Sequence, residues 1–182
     1  MDLNYAIMQF KEKKFDIALP IFQSLASENL TAKSYLGNML LEGLGIKRNL
    51  KQAIKLFKEA AEEGEEKSHI MLSKLYYDGT GLLKNNKLAF EHIRKAAEGG
   101  HAESARWVGT FYENGIGCRR NIKRSCEWFQ ISANLGDLEA QVRLGMAYLS
   151  GKGVSKDPQS AMSLFLLAAE KGYSWAQQKL GE

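Results

Sequence analysis

"AQVRLGMAYLSGKGVSKDPQSAMSLFLLAAEKG", residues 140–172, reads as two amphipathic helices joined by a bend that contains two glycines. The same pattern begins at residues 32, 68 and 104, each 36 residues from the next, and aligns without a gap. Gly37, Gly109 and Gly145 share one column, with Ser73 as its exception and Gly181 as its continuation. Gly43, Gly79, Gly115 and Gly151 fill a second column, and Gly45, Gly81, Gly117 and Gly153 a third. Gly64, Gly100, Gly136 and Gly172 close each repeat. Self-similarity at a fixed period marks stacked supersecondary units, because a single hairpin would leave its apolar face in water.

Within each repeat the periodicity is helical. The first helix is predicted from about Ala32 to Glu42, with Leu36, Met39 and Leu40 on one face. The second starts after Asn49 and carries Ala53, Leu56, Phe57, Ala60 and Ala61 as one stripe. Asn49, Asn85, Asn121 and Asp157 stand where a helix needs an N-cap, and Pro158 follows at the first helical position. Gly64 and its equivalents stand where a helix ends in a left-handed residue. The expected fold is all-α: an α/α superhelix, or solenoid, of helix-turn-helix repeats with a period of 36 residues.

Composition narrows the function classes. With 182 residues the chain suits one repeat domain, and its net charge of +4 falls short of a nucleic-acid signature. No apolar run suits a signal peptide or a membrane span, and two cysteines are too few for a disulfide scaffold. A cytoplasmic protein without nucleic-acid partner or membrane insertion is expected, as a monomer in preference to a dimer.

The residues that could carry chemistry recede when read by column. Gly115 and Gly117 follow one helix and open another, whereas a dinucleotide loop follows a strand. Cys118 shares its column with Ile46, Leu82 and Val154, and Cys126 with Ile54, Phe90 and Met162, so both thiols take apolar positions. A Cys118–Cys126 bridge is the less favoured alternative. His69, His92 and His101 stand apart, so neither a metal site nor any cofactor is expected. Arg119, Arg120, Lys123 and Arg124 form a basic patch, read as a solvated face or as a dock for an acidic partner.

The "A–LG––Y––G–G" of the first helix and the "D–––A––WF––AA–––G" type of the second resemble the Sel-one-like repeat family, relatives of the tetratricopeptide repeat. The resemblance covers residues 32 to 181, with departures at Ser73, at Leu40 in place of tyrosine, and at three asparagine caps. It implies one repeat domain over 1–182, with repeats at 32–67, 68–103, 104–139 and 140–175 and a partial capping helix at 176–182. Residues 1–31 resemble a tetratricopeptide-type capping hairpin, in which Ala18 and Phe22 match Ala53 and Phe57. Pro20 lies about a turn into its second helix, so an irregularity is expected there.

The resemblance also implies that first helices line a concave groove. The columns expected to face it are Ser34, Ile70, Arg106 and Val142; Asn38, Lys74, Thr110 and Met146; and Leu41, Tyr77, Glu113 and Leu149. Trp175 stands where other repeats carry Lys67, Glu103 and Glu139; it either caps the C-terminal end or anchors a partner or second copy. The reading is a non-catalytic adaptor that binds a peptide or protein in this groove, with an inhibitor or immunity protein of a toxin as one specific version. The alternative is a hydrolytic enzyme with its site in the groove, for which only Glu113 offers a suited side chain.

Overall fold

The computed structural model of the chain describes residues 2–180, so Gly181 lies outside the described residues. Among them the 36-residue period is the spacing of helix pairs, and no strand occurs. The helices are α1 Leu3–Lys11, α2 Phe15–Leu25, α3 Leu30–Glu42, α4 Leu50–Glu62, α5 Glu66–Asp78, α6 Asn86–Glu98, α7 Ala102–Asn114, α8 Ile122–Asn134, α9 Leu138–Ser150, α10 Pro158–Glu170 and α11 Ser174–Leu180. They fall into two units, residues 1–85 and 86–182, and the boundary lies inside the second repeat.

Side chains start the helices. The Asn49 side chain accepts from the Gln52 N–H, and Asn121 from that of Arg124. Asp157 accepts from the Gln159 and Ser160 N–H groups. The Ser160 hydroxyl, at 2.6 Å, is the chief reason the Asp157 carboxyl sits below the ordinary carboxylate range. The first helices use Asn29, Glu65, His101 and Asp137 in the same way. His101 does so through Nδ1, which accepts from the Ser104 N–H at 3.1 Å. In the N-terminal hairpin α2 runs through Pro20, whose ring removes one backbone donor, and Lys13 turns the chain with a φ of 60°.

Two glycine columns have steric causes. Gly109 lies under Phe129, where a Cβ would meet the ring at 2.7 Å, and Gly145 lies likewise under Phe165. The repeat that lacks this glycine, at Ser73, also lacks the ring, at Ile93. Gly45, Gly81, Gly117 and Gly153 each press on the first residue of the second helix one repeat earlier: Phe15, Leu50, Asn86 and Ile122. The bend therefore locks neighbouring repeats together.

Phe22, Phe57, Met39 and Leu72 are the largest fully buried side chains of residues 1–85. In residues 86–182 the core gathers around Phe129 and Phe165. Gly109→Ala is expected to destabilise the chain by about 1–3 kcal/mol through overpacking. Helix propensity alone would favour alanine by about 1 kcal/mol, so the ring decides the sign. Urea unfolding followed by circular dichroism measures it; a stabilised variant would refute the close approach.

Candidate functional site

Three first helices of the N-terminal unit enclose a groove of about 300 Å³. Helix α1 contributes Phe10, α3 contributes Ser34, Tyr35 and Asn38, and α5 contributes Lys67, Ile70 and Met71. The α5 residues lie at i, i+3 and i+4, the spacing that places side chains on one helical face. Tyr35 is the floor: its ring stacks on Phe22 with centroids 4.9 Å apart, and the edge of Phe10 meets it at 5.0 Å. Lys67 Nζ donates to the Tyr35 hydroxyl at 3.2 Å and lies 4.7 Å from the ring centroid. The arrangement is an apolar trough with an ammonium at its rim, suited to holding a side chain and without a nucleophile–base pair.

Three residues expected to face outward do not. Ser34 is 4% exposed, Leu41 5% and Val142 7%. Leu41 belongs to the core of the N-terminal unit, and Val142 packs with Phe165, Ala168 and Ala176. The physical reason is stacking: Leu41 and Val142 pack into the cores between neighbouring helices, whereas Ser34 is buried in the wall of the groove. Tyr77, Met146 and Leu149 are exposed, as is Lys74, and Ile70 is half-buried in the groove. Thr110 turns its hydroxyl to the Arg106 carbonyl at 3.1 Å. Trp175 is half-buried with its ring edge-on to Phe165 at 5.8 Å, closing the last core cluster.

In the C-terminal unit the first-helix face is an ion network. Arg106 Nε donates to Asp137 at 3.1 Å, and its Nη atoms reach Glu139 at 3.1 Å and Glu103 at 3.5 Å. Arg143 pairs with Glu139 at 2.8 Å and with Glu113 at 3.4 Å. Trp107 Nε1 donates to Glu103 at 3.4 Å, beneath the Arg106 guanidinium. Two guanidinium groups against four carboxylates leave this face negative. Glu113 is thus an ion-pair partner of Arg143.

The basic patch divides. Arg120 Nε donates to the Glu113 carbonyl at 2.9 Å, as Arg48 Nε does to Leu41, so it tethers the end of α7. Arg124 donates to the Tyr112 hydroxyl at 3.3 Å and lies over its ring. Arg119 and Lys123 are exposed. Both cysteines are free thiols. Cys126 is buried with its Sγ donating to the Lys152 carbonyl, and Cys118 is half-buried against that of Phe111. Burial pushes both thiols up, and Glu113 and Glu127 add to the effect at Cys126. The described residues hold no cluster of three His, Cys, Asp or Glu side chains able to take a metal, and no helix among them is long and apolar enough to cross a membrane.

The column that matters most escapes a reading by variability: Tyr35, Met71, Trp107 and Arg143 occupy one phase, one residue beyond Ser34. Its signal is size, with four large side chains of different chemistry at one helical position.

These features match known proteins. The Sel1 repeat profile matches residues 31–65, 67–101, 102–137 and 138–173. A Sel1 repeat protein from Oxalobacter formigenes is 34% identical with a TM-score of 0.88, over 97% of this chain and 73% of its own. The protective antigen c5321 of uropathogenic Escherichia coli strains is 34% identical with a TM-score of 0.85, over 90% of this chain. The chain spans only 35% of that antigen's length. The immunity protein PA5088 from Pseudomonas aeruginosa, at 17% identity and a TM-score of 0.56 over 94% of this chain and 66% of its own, shares the fold alone. No curated protein matches the chain in sequence. Four profile matches in the register of the glycine columns, together with 34% identity to a solved repeat protein, make the chain a member of the Sel1 repeat family.

Proposed function

We propose that the chain is a non-catalytic interaction module that binds a peptide segment of a partner protein on the first-helix face of residues 1–85. The observation that carries this reading is the groove of about 300 Å³ floored by Tyr35, which offers a large apolar side chain a place to insert. The non-catalytic part is supported by Glu113, the one side chain suited to hydrolysis at an expected groove position, being held by Arg143. An inhibitor or immunity role for a toxin is a narrower version of the same reading, supported by likeness of fold only.

Selection of a random peptide library displayed on phage against the immobilised full chain tests the proposal. Enriched peptides are expected to bind the wild type and to lose at least about tenfold in affinity to Asn38→Trp, which fills the groove, while circular dichroism stays unchanged. No enrichment, or equal affinity for a folded Asn38→Trp variant, would overturn it.

A further inference from the structure

We infer that the groove takes an acidic peptide: an apolar side chain seated on Tyr35 between carboxylates that pair with Lys67 and Lys74. This rests on the groove of residues 1–85 being a peptide-binding site. Among the residues that line it, Lys67 carries the one charge, and no carboxylate is present. Its ammonium is held by a phenol and an aromatic face, neither of which neutralises it. The cations of the equivalent face in the C-terminal unit differ, since Arg106 and Arg143 are each engaged by two or more carboxylates.

The sign of the column changes too. At the phase where α5 carries Lys67, the later first helices carry Glu103 and Glu139. Lys74 lies seven residues after Lys67, close to two full turns, so both lysines share the face that bears Ile70 and Met71. The pattern along α5 is therefore cation, apolar pair, cation, with the lysines separated by roughly 10 Å of helix axis. Its complement is a segment with a large apolar residue flanked on both sides by Asp or Glu. Burying the apolar side chain would exclude water beside Lys67, and a carboxylate there would meet an ammonium already positioned by Tyr35.

The test uses the same library selection on the full chain, followed by fluorescence polarisation with the strongest enriched peptide made with a fluorescein label. Enriched sequences are expected to place Asp or Glu around an aromatic or aliphatic residue. Replacing those acids by Asn or Gln, or making Lys67→Gln with Lys74→Gln, is expected to weaken binding about tenfold. Lys67→Glu is expected to reverse the preference towards Lys-bearing peptides. Both lysines are exposed, so the variants should keep the wild-type circular dichroism spectrum. Enrichment of neutral or basic peptides that Asn38→Trp still blocks overturns the acidic partner and leaves the groove standing. Affinity within about twofold on the double lysine variant does the same. Absence of any enrichment overturns both.

Discussion

Phe57→Ala is expected to lose about 3–5 kcal/mol of stability, a large part of the roughly 5–15 kcal/mol available to a folded protein. Phe57 is 0% exposed and belongs to the core shared by α2, α3, α4 and α5. The cost should fall in the upper part of that range, because the cavity cannot refill from the opposite side. There the neighbour is Gly37, whose missing Cβ would stand 2.8 Å from the ring. The pair therefore makes a second, sharper expectation. Gly37→Ala should destabilise the wild type by overpacking, yet stabilise Phe57→Ala, where the clash is gone and alanine gains about 1 kcal/mol of helix propensity. Urea midpoints of the four proteins in that cycle measure it. A loss below about 1 kcal/mol for Phe57→Ala, or additive effects across the cycle, would mean that ring and glycine do not form one packed unit.

That coupling shows which parts of the molecule could be read from sequence. Glycines, caps and aromatic columns recur from period to period, with Ser73 and Ile93 departing together, so several copies of one local requirement speak together. The Asn49, Asn121 and Asp157 caps and the left-handed glycines were legible for that reason. The binding face was less so, because a position that varies between repeats need not be exposed. Ser34 and Val142 vary and are buried, while Tyr35, about 100° further round the helix from Ser34, floors the groove. Charge partners were the least legible. Arg106 meets Asp137 across 31 residues of sequence, and whether a cation stands paired, as there, or beside a phenol, as at Lys67, depends on where long side chains settle. Arg120 looked like part of a docking patch, although its first role is to hold the last turn of α7.

Gly117→Ala is the second large effect, expected at about 2–5 kcal/mol. Part is conformational: Gly117 has a φ of 68°, and a left-handed alanine costs about 1–2 kcal/mol. The rest is contact. A Cβ there would run into the carbonyl of Asn86, the first residue of α6, and backbone at a helix start cannot step aside as a side chain can. Such overpacking adds about 1–3 kcal/mol. Gly115 separates the two causes, since its φ of 71° imposes the same strain while its nearest obstacle is the Arg120 side chain at 3.3 Å. Gly115→Ala should therefore cost only the conformational share, about 1–2 kcal/mol. Hydrogen exchange should show the extra loss in Gly117→Ala as faster opening of α6 as well as of α7 and α8. Equal effects at the two positions, with α6 unchanged, would reduce the third glycine column to a turn requirement. A larger effect at Gly117 makes that glycine the point where one repeat is seated against the next.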